Sequence, residues 1–205
     1  MNKKANKKLK QKPRTDAVHP VLRVHKHHLI VKIVEIALFF VLFVCAASLA
    51  KAAPINSENL ELLINQERSQ RGIAALKINQ ELNQAAYNKS LDMMSKNYFD
   101  HYAFGRTPWN FITEQGYDYL YAGENLAMDF QTAEGTVAAW MNSPSHRRNI
   151  LNSDFSETGI GIVKGEYSDA SGIRETQIVT NMFATEKPAV IKFFDTIISG
   201  IKSIF

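Results

Sequence analysis

Of the six histidines, four precede the long apolar run near the N-terminus, which leaves His101 in "FDHYAFGRTPW" and His146 in "NSPSHRRNIL" beyond it. Imidazole is a common metal ligand and proton carrier near neutral pH. His146 follows Ser143 and Pro144, residue types that open helices, so it falls near the third residue of a helical turn. There the helix macrodipole disfavours imidazolium and keeps the ring in the form that binds a metal or accepts a proton. Between the two lies "AGENLA", where Glu124 follows Gly123 and reads as a carboxylate presented at a tight backbone turn. Two neutral nitrogens and one carboxylate could give a zinc-like divalent cation three protein ligands and leave one position for water. Calcium, which takes six to eight oxygens, suits the set poorly. The plainer alternative makes each histidine a surface or satisfied core residue and Glu124 a solvated turn residue.

Other chemistries lack their residues. The single cysteine, Cys45, lies inside the apolar run, so the rest of the chain has neither a disulfide nor a thiol nucleophile. No HExxH or GxSxG pattern occurs. Ser145 beside His146 makes no dyad, because adjacent helical residues point apart.

Net charge is +4, yet 11 of the 24 Lys and Arg lie at or before Lys51 with only Asp16 and Glu35 for company. The remainder carries 13 basic against 18 acidic residues. A negative body loses the electrostatic case for a nucleic-acid partner.

The basic arm, residues 1–28, runs into an apolar segment, 29–53, that ends in small residues, the pattern of a secretion or membrane signal. Two fates stay open. Ala50-Lys51-Ala52 resembles a cleavage site, whereas a span from about Leu29 would hold Lys32 and Glu35 near its cytoplasmic end and act as an anchor. Either way the positive arm stays inside and the chain after Ala53 is extracytoplasmic, secreted or anchored in the membrane.

From 54 to 187 helical patterns precede strand patterns. "NSENLELLINQERSQRG" places Leu60, Leu63 and Ile64 on one face with Gly72 as a stop, and "NQELNQAAYNKSLDMMSKN" repeats the device, ending at His101's loop. "RTPWNFITEQG" is a short helix capped by Thr107, with Pro108 in its first turn and Gly116 as terminator. "QTAEGTVAAWMNS" stops before Pro144. "ETGIGIVKGEY" and "RETQIVTNMFATE" form an antiparallel hairpin about "SDASG", with "YAGENLAMDF" as a third, shorter strand. This order predicts an α+β fold. The tail, 188–205, repeats Val190, Phe193, Phe194, Ile197, Ile198 and Ile201 at helical spacing. It is too short to span a bilayer, and it either packs on the domain or a partner copy or lies at a membrane interface.

At "FDH", "AGENLA", "AAWMNSPSHRRNIL" and "FSETGIGI" the sequence resembles the bacterial branch of the CAP superfamily, named for cysteine-rich secretory proteins, antigen 5 and pathogenesis-related proteins. The resemblance covers roughly Ile55 to Thr185. It implies a three-layer αβα sandwich with a central, mainly antiparallel sheet and a surface cleft where His101, Glu124 and His146 converge. Three residues after Trp140, where many eukaryotic members carry a second acid, this chain has Ser143, which leaves Glu134 and Glu157 as candidate replacements. Ser143 is expected to cap the helix that carries His146.

Three functions follow as expectations. The first is an exported binding module whose cleft holds a divalent cation, zinc or similar, and engages a lipid, glycan or other envelope component. A metal-dependent, protease-like hydrolase is the second, and a structural surface domain or adhesin the third. The balance favours binding over catalysis. Membrane contact would run through the N-terminal segment and the tail.

Overall fold

The computed structural model describes residues 31–40 and 52–202, which fall in two units divided between Lys51 and Ala52. The first contributes helix α1, residues 31–40. Among the described residues no helix is long and apolar enough to cross a membrane. The basic arm, Cys45 and most of the segment expected to direct export lie outside them.

The second unit is an α+β fold with a mixed sheet. Helices α2 (Ser57–Ser69) and α3 (Gln80–Lys96) bracket the two-residue strand β1 (Lys77–Ile78). Then come α4 (Pro108–Thr113), β2 (Tyr119–Met128), α5 (Ala133–Asn142), α6 (Pro144–Ile150), β3 (Glu157–Asp169), β4 (Gly172–Glu186) and α7 (Ala189–Lys202). Strand order is β1-β3-β4-β2. β1 runs parallel to β3, and the other two pairings are antiparallel.

Side-chain alternation along β4 divides the core between the two faces of the sheet. Val179 and Phe183 face a cluster built with Leu60, Ile64, Val137, Trp140 and Ile150 from α2, α5 and α6. Met182 and Ala184 meet Leu82, Ala85, Ala86, Phe111 and Ile112 from α3 and α4, and Ile178 meets Met93. The layered arrangement is therefore helix, sheet, helix.

Local chemistry sets the ends. Asn56 caps α2 by accepting from the Asn59 N–H, and Asn79 caps α3 by accepting from that of Leu82. Asn97 ends α3 in the left-handed conformation, φ 57°, so the helix stops before the loop of His101 instead of running into it. Asn110 reaches back to the Thr107 N–H at the start of α4, and Gly116 closes that turn at φ 81°. Ser143, by contrast, makes no side-chain cap bond to α6 and lies 3.2 Å from the Ser145 hydroxyl.

Glycines set the spacing of α3 on the sheet. A Cβ at Gly159 would come 2.1 Å from the Leu82 carbonyl carbon, and one at Gly161 2.0 Å from the Tyr87 amide nitrogen. The helix backbone rests directly on β3, a contact that any side chain would abolish. Ser90 secures it, donating to the Gly161 carbonyl at 3.1 Å.

Candidate functional site

"AGENLA" lies in a strand, as the reading of "YAGENLAMDF" expected, and the backbone does not turn tightly at Gly123. Glu124 sits in the middle of β2, 5% exposed, opposite Met182 of β4. Gly123 is required for a packing reason: a Cβ there would lie 2.9 Å from the Phe155 ring. The misreading came from assigning the glycine a turn when it clears a neighbouring aromatic.

His101 Nδ1 lies 2.6 Å from Glu124 Oε1, so the imidazole holds the proton against the carboxylate. That hydrogen bond raises the His101 pKa above its ordinary value, with burial opposing. Burial pushes the Glu124 carboxyl up, and the His101 bond pulls it down. The second oxygen, Oε2, is buried without a hydrogen-bond partner among the described residues. An orphaned carboxylate oxygen inside a fold is costly unless something donates to it.

Sequence reading passed over Lys89, which lies on the buried stripe of α3 at 1% exposure. Its Nζ donates to the carbonyls of Asp100 at 2.8 Å and His101 at 3.1 Å, and to the Tyr98 hydroxyl at 3.3 Å. The ammonium thereby fixes the backbone that presents His101. Burial lowers its pKa, while Glu124, Asp92 and Asp100 work against that. The signal was available: a lysine in register with Leu82, Ala85, Ala86 and Met93 has to bury its head group or break the stripe.

His146 is the third residue of α6, as its position after Pro144 implied. The ring is partly buried, and burial together with the nearby His101 charge lowers its pKa. Asparagines couple this helix to β2. Asn125 Nδ2 donates to the His146 carbonyl at 3.1 Å, and Asn149 Nδ2 donates to the Glu124 carbonyl at 3.0 Å and to Asn125 Oδ1 at 2.8 Å.

A cleft of about 270 Å³ lies here, lined by His101, Tyr102, Pro108, Trp109, Ala122, Gly123, Glu124 and Asn149. Neither candidate second acid reaches it. Glu134 accepts from the Ala53 N–H at 3.0 and 3.1 Å. Glu157 accepts from the Tyr117 hydroxyl at 2.6 Å and lines a different hollow with Lys77 and Glu186. Both acids are occupied by structural bonds.

The expected three-ligand set of His101, Glu124 and His146 is not gathered either: among the described residues no three His, Cys, Asp or Glu side chains group closely enough to hold a metal ion. With one oxygen spent on His101, Glu124 has the geometry of a carboxylate that orients a histidine from behind. His101 and Glu124 are brought together at the cleft, whereas His146 is not among the residues that line it.

A mixed sheet between helical layers, with a histidine and a glutamate paired at its edge strand, is the architecture of a known class of domain. The chain belongs to that class: residues 62–182 match the Cysteine-rich secretory protein family, CAP. Among its relatives, the Bacillus subtilis (strain 168) uncharacterized protein YkwD is 44% identical over 104 residues, covering 50% of this chain and 40% of YkwD. The uncharacterized membrane protein YlbC of the same organism is 34% identical over 107 residues, covering 52% of this chain and 31% of YlbC. The match thus spans less than half of either relative. An extracellular SCP-domain protein from Bacillus anthracis superposes with TM-score 0.54 at 26% identity, covering 63% of this chain and 40% of that one. An outer surface protein of Borrelia burgdorferi shares the fold, with TM-score 0.51 at 23% identity over 67% of this chain and 100% of that one.

Proposed function

We propose that this CAP domain is an extracytoplasmic binding module whose His101–Glu124 cleft grips a component of the cell envelope. The observation that carries this reading is the buried Glu124, one oxygen bonded to His101 and the other lacking a donor at the wall of an open cleft. Similarity to an extracellular SCP-domain protein and to a membrane protein supports placing the domain outside the cytoplasm. Titrating the protein with solubilised envelope fractions, while following the His101 and His146 imidazole resonances, tests the reading. Saturable shifts are expected; resonances indifferent to every fraction would defeat it.

A divalent cation belongs to the proposal through the two imidazoles, with Glu124 behind His101. In zinc calorimetry His101→Ala and His146→Ala are each expected to abolish binding, and Glu134→Ala and Glu157→Ala to leave it unchanged. Loss through either of the latter two would overturn this assignment. Hydrolysis remains the second reading, favoured by the half-buried His146, whose lowered pKa keeps it a neutral base at pH 7. Peptide turnover that disappears in His146→Ala would replace the first reading with this one.

The tail extends the proposal to lipid. Along α7, Val190, Phe193, Phe194, Ile197, Ile198 and Ile201 are all between 42 and 61% exposed. Lys192, Asp195, Thr196 and Ser199 occupy the opposite side of the helical wheel. A stripe of this kind lies in the plane of a bilayer interface. Flotation with anionic vesicles is expected to recover the protein, and Phe193→Glu with Ile197→Glu to reduce recovery severalfold; full recovery of that variant would remove the tail from the membrane contact.

A further inference from the structure

The cleft is lined from two sides of different chemistry. The loop and first turn of α4 supply Tyr102, Pro108 and Trp109, and β2 and α6 supply Glu124 and Asn149. Trp109 is half-buried, packed on the α3–α4 cluster and tilted against Tyr119 with ring centroids 6.1 Å apart. It is therefore a rigid apolar surface. Among the described residues its indole N–H donates to no protein acceptor, unlike that of Trp140, which donates to the Leu126 carbonyl at 2.9 Å.

On the polar side the unpaired groups are acceptors. Glu124 Oε2 has no donor. Asn149 spends its amide N–H groups on the Glu124 carbonyl and Asn125 Oδ1, which leaves its own Oδ1 unengaged among the described residues. The ligand must supply hydrogen-bond donors along one edge and an apolar face beside them. An acyl chain brings no donor for the buried oxygen.

An extended peptide fails for another reason. β2 is an edge strand, the usual platform for adding a peptide strand. Yet the carbonyls of Glu124 and Leu126, two residues apart on the same edge, already accept from the side chains of Asn149 and Trp140. The edge is capped where the cleft meets it.

Resting on the reading of the cleft as a ligand site, we propose that it is a subsite for one pyranose ring, with equatorial substituents, of an envelope glycan. The ring's C–H face stacks on Trp109, and neighbouring equatorial hydroxyls donate to Glu124 Oε2 and Asn149 Oδ1. Equatorial substitution is required because axial groups would lift the ring off the indole. Tyr102, 61% exposed at the rim, meets the next sugar.

The test is calorimetric titration of the full chain with chitotetraose and with cellotetraose, alongside tryptophan fluorescence. Saturable binding of at least one is expected, weakened tenfold or more by Trp109→Ala and substantially restored by Trp109→Phe, which keeps an aromatic ring against Tyr119. Unfolding midpoints of the variants check that the fold survives. Binding unaffected by either Trp109 variant, or no binding of either sugar, overturns the glycan subsite. If the sugars fail while envelope fractions still shift the His101 resonance, the glycan alone is wrong; if both fail, the cleft is not a ligand site. A peptide-containing fraction that shifts the resonance when both sugars do not would assign the cleft to peptide instead.

Discussion

Arg68 and Lys89 are two buried cations on opposite faces of one sheet, and they use their charge differently. Each sits on the apolar stripe of a helix, at 0% and 1% exposure. The Arg68 guanidinium fans out to four carbonyls: Ala74 and Ile150 at 2.8 Å, Asn152 at 2.8 Å and Phe155 at 3.1 Å. Three lie in segments that join elements and the fourth, Ile150, ends α6, so the planar fork works as a fastener. The Lys89 ammonium touches the backbone of the His101 loop and stands in the field of Glu124. The same burial cost is met by backbone acceptors in both cases, but only the second cation acts on the candidate site.

The largest effect is expected from breaking the fastener. Arg68→Met strands four carbonyls and should cost roughly 4 kcal/mol in urea unfolding. Arg68→Lys should recover only part of it, because a point charge cannot reach all four. A loss near zero would mean that the carbonyls find other donors.

Lys89→Met is expected to cost about 2 kcal/mol, less than Arg68→Met, and to do something Arg68→Met does not. The His101 resonance should move and broaden as its loop loses its anchor. An unmoved His101 would reduce the lysine to a second fastener.

Glu124→Gln sharpens the site half of the comparison at little cost in stability. The Glu124 bond raises His101 above its ordinary value, so the substitution should bring its titration midpoint down in an NMR pH series. Since His101 gains its partner on folding, the stability this pair contributes is present below the unfolded pKa and fades as pH rises through the folded one. A midpoint that stays raised in the variant would point to another source.

The smallest effect lies at the hairpin tip, remote from both cations. Asp169 is held down to about 2 by its bonds to Ser171 and Arg174, and Asp129 is lowered by Arg174 and Thr176. Their contribution is present above the ordinary carboxylate value and is lost as pH falls toward 2. Amide exchange at Ile173 to Thr176 should quicken across that window while the α3 amides stay protected. Uniform quickening would instead signal global acid unfolding.

The helices and the β3–β4 hairpin could be read from sequence because their signals are local: Thr107, Pro108 and Gly116 bracket α4, and Gly172 closes the hairpin turn at φ 115°. His146 at the third position of α6 followed from Ser143 and Pro144 just before it. What failed depended on partners far along the chain. Gly123 read as a tight turn inside an otherwise legible strand until Phe155 explained it, and Glu134 and Glu157 stood as candidate cleft acids although Ala53 and Tyr117 hold them. β1, at two residues, has too little pattern to register.

The close seat of α3 on β3 has a consequence for the order in which the chain can assemble. Ser90 and Gly161 are 71 residues apart, and the glycine contacts have no substitute surface earlier in the sequence. A chain emerging N-terminus first makes α3 long before the strand that covers it. Until β3 arrives, Leu82, Ala85, Ala86 and Met93 have no sheet to rest on, and the His101 loop they help support stays unset. The domain is therefore completed from its C-terminal hairpin, and a chain halted before Gly161 would carry both histidines without yet having a cleft.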